Sequence, residues 1–157
     1  VYPKNSKVAT APVSDAQPVA NPPQVKGRPF TVTAEVQHGK PKGVVFPHCA
    51  VQFGYALYFN KAKPAFCLRN DGKLTELAAK DPVNGRFTVS ASLNDKMLTL
   101  SVNGKEVARR KSPGLFVGQP AIGMYLGEDF KDPVGKYKVP NKFNGKILSH
   151  KVNVAAP

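Results

Sequence analysis

Short runs of alternating apolar and polar residues dominate the chain from residue 28 onward. In residues 30–36, F-T-V-T-A-E-V, every second side chain is apolar and those between are polar. This period of two predicts a half-buried β-strand. Similar runs predict further strands at residues 43–46, 54–59, 65–69, 74–78, 86–93, 97–102, 106–111, 121–126 and 146–154. Ten strands with no convincing helix predict an antiparallel sandwich or barrel.

Tight turns are predicted where Asn, Asp and Gly cluster between these runs, because these residues adopt the positive φ that hairpins require. Such clusters occur at residues 70–72 and 103–104, and further reversals are expected at 94–95 and 144–145. In the hairpin around residues 103–104, the alternation predicts an inward-facing set made of Leu98, Leu100, Val102 and Val107.

The first 27 residues show neither a helical nor a strand period. Prolines stand at positions 3, 12, 18, 22 and 23. We expect residues 1–27 to form an extended, polyproline-biased linker, or an arm lying along a neighbour, ahead of one β-domain at residues 28–157. The segment lacks the pattern of a secretory signal, so any export signal is expected upstream, in a longer precursor.

Composition and charge narrow the class of protein. A chain of 157 residues is about one domain long and can bury a hydrophobic core. Its 23 Lys and Arg against 10 Asp and Glu give a net charge of +13, which favours an anionic partner. Two cysteines and no apolar run near 18 residues exclude a disulfide-dense miniprotein and a membrane-spanning helix.

No set of catalytic residues is visible, and the chain is predicted not to be an enzyme. The ten acidic residues never alternate in a way that places two carboxylates on one face of a strand. Glu128 and Asp129 are adjacent, so on a strand they point to opposite sides. No G-x-S-x-G elbow or Cys-His signature surrounds any Ser or Cys.

Two features leave alternatives open. Glu128, Asp129 and Asp132 offer hard oxygen ligands in one acidic segment, which suits either calcium or an ordinary solvated turn. No other cofactor is expected. Cys49 and Cys67 can bridge two strands, and the alternative is a buried free thiol.

The basic excess includes a local cluster that suits an anionic glycan. Arg109, Arg110 and Lys111 can pair with sulfate or carboxylate groups, while Tyr125 and Tyr137 can pack on sugar rings. The alternative is that these cations only guard a strand edge. Nucleic acid is disfavoured, because no RNA-binding aromatic signature accompanies them. The remaining tyrosines in strand runs, Tyr55 and Tyr58, are expected to serve packing.

The order of segments from residue 28 to 154 resembles the concanavalin A-like, laminin G-type jelly-roll module found at the C-terminus of secreted sulfatases, notably those of planctomycete type. The most specific pieces are G-Y-A-L-Y at 54–58, V-N-G-K at 102–105, P-G-L at 113–115, P-V-G at 133–135 and F-N-G-K-I at 143–147. After Val45 the family tends to a Gly-rich turn, whereas this chain continues F-P-H-C-A-V-Q.

The resemblance implies a sandwich of two antiparallel sheets without an active site of its own. The sulfatase nucleophile motif C/S-x-P-x-R is absent at both cysteines, and no ligand residue of the family can be carried over. The resemblance implies a secreted, extracellular or periplasmic, non-catalytic accessory domain of a polysaccharide-processing protein, which docks an enzyme domain or an anionic glycan.

Two rival functions belong to other classes. In the first, the chain is a structural or assembly subunit, and its N-terminal arm binds another chain of a cell-surface or extracellular complex. In the second, it is a small sugar hydrolase on the same fold, which requires a cleft holding two acids.

Overall fold

A computed structural model gives the fold, and it describes residues 5–8, 17–18, 25–48, 53–118, 125–126, 128–129 and 141–155. Within these ranges the chain is all-β and contains no helix. The strands are β1 Asn5–Val8, β2 Gln17–Pro18, β3 Phe30–His38, β4 Gly43–His48, β5 Phe53–Asn60, β6 Lys63–Asn70, β7 Lys73–Ala78, β8 Gly85–Leu93, β9 Met97–Val102, β10 Lys105–Lys111, β11 Tyr125–Leu126, β12 Glu128–Asp129, β13 Asn141–Lys142 and β14 Lys146–Val154.

Two six-stranded sheets form the body. The first sheet has the order β1-β14-β3-β8-β9-β10 and is antiparallel throughout. The second has the order β12-β13-β4-β5-β6-β7 and is antiparallel except where β13 runs parallel to β4. Strands β2 and β11 form a small separate ribbon. The alternation predicted an antiparallel sandwich or barrel, and the family resemblance implied a two-sheet jelly-roll sandwich; the sandwich is confirmed.

The core lies between the two sheets and is built from their alternating inward positions. On β3 the apolar residues of the F-T-V-T-A-E-V run are buried and the polar residues between them are half-buried, as predicted. An aromatic cluster fills one part of the core. The ring centroids of Phe30 and Tyr55 are 4.9 Å apart, and the ring of Phe116 lies 5.9 Å from Phe30 and 6.1 Å from Tyr55.

Phe116 belongs to a short strap, residues 115–117, that closes the core outside the regular strands. The Asn70 side chain holds this strap: its amide nitrogen donates to the Leu115 carbonyl at 2.9 Å, and its oxygen accepts from the Val117 amide at 3.2 Å. The Phe116 carbonyl accepts from Gly27 N–H at 2.8 Å. One carboxamide thus satisfies the backbone on both sides of a buried ring.

The β9–β10 hairpin confirms its predicted turn and corrects one of its predicted core residues. Asn103 and Gly104 have φ of 52° and 80°, as a two-residue hairpin requires. Leu98 and Leu100 are buried and Val102 packs against the core, but Val107 is 38% exposed. The register shifts between residues 106 and 108, and Ala108 packs on the core instead. A bulge inserts one residue and reverses the alternation after it.

The N-terminal region contributes short strands that the sequence did not predict. Residues 5–8 pair with β14 and residues 17–18 pair with β11. The linker or arm expected at residues 1–27 stays a prediction, and two stretches of it pair with the rest of the chain as short strands. Ladder pairing uses backbone groups alone, so a proline-interrupted segment without alternation can still form it. Val25 is fully buried, so the packed body includes it.

His150 makes stability depend on pH. It lies on the core side of β14 opposite Ala34 and is 2% exposed. Burial lowers the pKa of its imidazole from 6.5 to about 4. Between these two values the unfolded chain binds a proton that the folded chain does not, so the free energy of unfolding falls as the pH falls from 6.5 towards 4. We expect the free energy of unfolding to fall by about 2–3 kcal/mol between pH 6.5 and pH 4.

Urea unfolding at several pH values between 4 and 7 measures this effect, and the variant His150→Leu is its control because carboxylates titrate in both proteins. The slope between pH 6.5 and 4 should be shallower in the variant. Equal slopes would contradict a neutral, buried imidazole.

Candidate functional site

A cleft of about 510 Å³ opens at one end of the sandwich. Four connections form it: the β3–β4 loop, the β5–β6 turn, the β7–β8 loop and the β13–β14 turn, which contributes Asn144. We call it the loop-end cleft; its described lining residues are Gly39, Lys40, Pro41, Lys42, Lys61, Ala62, Pro82, Val83, Asn84 and Asn144. Its size falls in the range of small-ligand sites.

The charged residues among the described lining of the cleft are all cations. Of the described residues that line it, three are lysines and none is acidic, and all three lysines are exposed. Between the lysines lie two prolines, an alanine and a valine. Arg86, a cation on β8 one position after Gly85, is already paired: its Nε donates to the Glu35 carboxylate at 2.7 Å, and this bond lowers the pKa of Glu35. A cavity lined by lysines and by apolar residues suits an anion with a carbon skeleton.

Hydrogen bonds tie the loops of the cleft to one another. Ala62 N–H donates to the Pro41 carbonyl at 3.1 Å, and Val83 N–H donates to the Ala62 carbonyl at 2.9 Å. Asn144 fastens the β3–β4 loop, because its Oδ1 accepts from Lys42 N–H at 2.9 Å and its Nδ2 donates to the Lys40 carbonyl at 3.0 Å. Lysines on loops that are already joined lose less conformational freedom when a ligand binds.

Gly145 allows the turn that carries Asn144 to pass close to the end of β3. A Cβ at position 145 would stand 2.5 Å from the Gln37 carbonyl oxygen and 2.8 Å from the Cβ of His38. The reversal predicted at residues 144–145 therefore has a packing reason, which is the close approach of the chain to the end of β3.

The β5–β6 turn, which carries Lys61 into the cleft, is strained. Lys61 and Ala62 have φ of 52° and 64°, a region that favours Gly, Asn and Asp. The hairpins at 71–72 and 103–104 use Asp-Gly and Asn-Gly for the same geometry. A lysine held in an unfavourable conformation at the rim of a cavity points to a role beyond folding.

The variant Lys61→Asn separates folding from binding. Asparagine adopts this conformation more readily, so we expect the free energy of unfolding to rise by about 1 kcal/mol. The same variant removes one cation from the cleft, so we expect it to bind anions more weakly than the parent chain. Chemical unfolding and anion titration measure the two effects. A variant that is less stable, or that binds anions unchanged, would contradict this account of the turn.

The basic residues predicted as a glycan site lie elsewhere. Arg109, Arg110 and Lys111 are exposed on β10, the edge strand beside β7. Arg110 Nη1 donates to the Glu76 carbonyl at 2.8 Å, and Arg109 Nη1 lies 3.8 Å from the Glu106 carboxylate. The guanidinium groups of Arg109 and Arg110 therefore already lie near oxygen atoms of the protein itself.

The predicted aromatic partners of this cluster are not brought to it within the described residues. Tyr125 lies on β11, which contacts β4, whereas β10 contacts β7. Strands β4 and β7 are three positions apart in their sheet, a separation of about 14 Å. Tyr137 lies outside the described residues. The glycan site at Arg109, Arg110, Lys111, Tyr125 and Tyr137 stays a prediction.

The calcium and cysteine expectations are likewise untested. Glu128 and Asp129 form the short strand β12, and Asp132 lies outside the described residues. Within the described part of the chain, no three His, Cys, Asp or Glu residues gather as a metal site would require. Cys67 is fully buried, and Cys49 lies outside the described residues.

The two strand tyrosines serve packing in different ways. Tyr55 is fully buried in the aromatic cluster. Tyr58 packs beside Ala56 and Cys67 on the other side of its sheet, and its hydroxyl donates to the Glu76 carboxylate at 3.0 Å. Burial raises the pKa of the Tyr58 hydroxyl well above its ordinary value.

Sequence reasoning missed the loop-end cleft. Lys40 and Lys42 stand in one loop and Lys61 in another, and only the strand order brings the two loops together. One local signal was available: N-K-A-K at 60–63 joins two strand runs without a glycine, so a turn there must place ordinary residues at positive φ.

Comparison with known proteins identifies the fold. No known family and no curated protein matches the chain by sequence. The domains LG4-5 of the mouse laminin alpha1 chain match in structure with a TM-score of 0.68 and 14% identity, over 96% of this chain and 40% of that one. The class defined here is therefore a laminin G-like β-sandwich.

Toxin binding domains share the fold. The binding domain of botulinum neurotoxin DC in complex with SialylT matches with a TM-score of 0.64 and 12% identity, over 98% of this chain and 40% of that one. Botulinum neurotoxin type C, whose cell entry depends on interaction with two ganglioside molecules, matches with a TM-score of 0.60 and 14% identity, over 81% and 32%. This chain thus spans less than half the length of each of these three neighbours. The described residues form no helix that is long and apolar enough to cross a membrane.

Proposed function

We propose that this chain is a non-catalytic binding module whose loop-end cleft holds an anionic glycan. The observation that carries the proposal is the convergence of Lys40, Lys42 and Lys61 on one cavity whose described lining contains no carboxylate. The hydrogen bonds of Asn144 and the strained turn at Lys61 support a built site. Structural neighbours that include a domain bound to SialylT and a ganglioside-dependent toxin support a glycan as the ligand class.

The glycan class follows from the residue type. Lysine ammonium groups are compact and strongly hydrated, so they recognise charge more than shape. Three of them around one cavity suit a sugar with several sulfate or carboxylate groups better than one with a single charge. The net charge of +13 raises the local concentration of such polymers around the whole molecule.

We place the module outside the cell, as an accessory domain of a sulfatase-like or other polysaccharide-processing protein. The order of segments that resembles the C-terminal module of secreted sulfatases supports this context, as do the laminin and toxin neighbours. In such a protein the module docks against an enzyme domain or keeps the glycan close to it.

A titration with dextran sulfate and uncharged dextran tests the ligand class, because the two polymers share one backbone. We expect dextran sulfate to bind and its affinity to fall steeply from about 0.05 to about 0.5 M NaCl, as screening shortens the range of the charges. Uncharged dextran should bind far more weakly at every salt concentration. Absence of salt-sensitive binding would remove the glycan and leave only docking between domains.

An assembly role is the second candidate, and the pairing of β1 with β14 favours it. Residues 5–8 complete the edge of the first sheet, and the same edge in another copy offers the same backbone groups. Deletion of residues 1–18, which keeps the buried Val25 in place, discriminates the two functions. A change of oligomeric state on deletion would favour assembly, whereas an unchanged monomer would favour the binding module.

A further inference from the structure

A second cavity lies at the opposite end of the first sheet and has a different chemistry. It measures about 310 Å³, and we call it the neutral pocket; its described lining residues are Pro29, Phe30, Thr31, Ser92, Leu93, Asn94, Asn153 and Ala155. These stand at the start of β3 and the ends of β8 and β14, whereas the loop-end cleft follows the end of β3. A nine-residue strand spans about 27 Å, so the two sites are separate.

The neutral pocket contains hydrogen-bonding groups but, among its described lining residues, no charge. Two carboxamides and two hydroxyls stand beside proline, alanine and leucine. The Asn94 side chain is fixed, because its Oδ1 accepts from Lys96 N–H at 2.8 Å and from Met97 N–H at 2.7 Å. Its Nδ2 is the donor end of the same carboxamide. Asn94, Asn153 and the hydroxyls together offer both donors and acceptors.

The pocket continues into a row of polar side chains across the outer face of the first sheet. The strand register places Asn153 opposite Thr31, Thr31 opposite Ser92, and Ser92 opposite Thr99. The hydroxyl oxygens of Thr31 and Ser92 lie 2.7 Å apart, so these side chains share one face. Neighbouring members stand about 4.8 Å apart, which makes a straight row of four hydrogen-bonding residues. The exposed Arg109 of β10 lies opposite Thr99, just beyond the end of this row.

We propose that the neutral pocket binds an uncharged sugar residue, and that the row from Asn153 to Thr99 contacts the sugars that follow it in a neutral polysaccharide. The hydroxyls and carboxamides match sugar hydroxyls, and Pro29 and Ala155 contact the apolar C–H face of the ring. A sulfated sugar fits poorly, since no described cation lines the pocket to offset its desolvation. The site goes beyond the proposed function, because it takes a different ligand class at a different end of the sandwich.

Calorimetric titration with cellohexaose, xylohexaose and chitohexaose tests this site. We expect at least one of these uncharged hexasaccharides to bind with an affinity that barely changes with salt. The double variant Thr31→Val with Ser92→Val removes both hydroxyls and keeps residues that suit a strand, and it should weaken binding at least about tenfold. Thr88→Val, on the same strand as Ser92 near the other end, is the matched control and should bind as the parent chain does.

Three results would overturn the proposal: none of the hexasaccharides binds, binding survives in the double variant, or binding is lost when Lys40, Lys42 and Lys61 are changed to Gln. The single variant Asn153→Ala, at a half-buried position, provides the same test if the double variant does not fold. Dextran sulfate binding is measured in parallel, so failure of the neutral site is distinguishable from failure of the loop-end cleft.

Discussion

Phe116→Ala should lower the free energy of unfolding by about 3–5 kcal/mol and the melting temperature by roughly 10 °C. The ring is 1% exposed and contacts the rings of Phe30 and Tyr55, so its removal leaves a cavity between the two sheets. The neighbouring strands cannot move into this space, because such a movement would break the backbone hydrogen bonds that join them within their sheets. Denaturant unfolding measures the loss.

Val117→Ala is the matched control for this prediction. Val117 is the next residue of the same strap and is 64% exposed, so its truncation should change stability by no more than about 0.5 kcal/mol. If both variants lower the free energy of unfolding by the same small amount, the strap does not close the core.

Asn70→Ala should lower the free energy of unfolding by about 1–3 kcal/mol, between the effects of these two variants. It removes the side-chain hydrogen bonds to Leu115 and Val117.

Changing Lys40, Lys42 and Lys61 together to Gln should weaken dextran sulfate binding at least about tenfold. Each exposed charge pair contributes about 0.5 kcal/mol, and three such pairs add to roughly 1.5 kcal/mol, which corresponds to slightly more than a factor of ten in affinity. The salt dependence should become shallower as well, because fewer counterions are displaced. Stability should hardly change, since all three side chains are exposed.

The basic edge of β10 supplies the matched control. Changing Arg109, Arg110 and Lys111 to Gln lowers the net charge of +13 by the same three units. If the loop-end cleft is the site, this edge variant should lose far less affinity than the cleft variant. Equal losses would show that only total charge matters, and a larger loss in the edge variant would locate the glycan on β10 instead.

Much of the fold was predictable because the sheets follow a local pattern. The alternation on β3 and the Asp-Gly and Asn-Gly turns determine strands and hairpins from neighbouring residues alone. The inward position of Val107 was mispredicted because a bulge is one extra residue that alternation does not register. The strand at residues 5–8 was missed because its partner, β14, is more than 130 residues away in the sequence.

The candidate site was not predictable in the same way. Sequence reasoning favoured Arg109, Arg110 and Lys111 because they are adjacent, but adjacency on an edge strand spreads side chains over both faces. Lys40 and Lys61 line one cleft because the β3–β4 loop and the β5–β6 turn lie at the same end of the sandwich. The neutral pocket depends in the same way on the register between β3, β8 and β14.

Amide chemical-shift mapping with a short dextran sulfate oligosaccharide tests the central claim most directly. The account predicts that the largest shifts occur at the non-proline residues of 39–42, 61–62, 82–84 and at Asn144, with residues 109–111 nearly unchanged. Shifts concentrated on β10, or spread evenly over the basic surface, would contradict a glycan site in the loop-end cleft.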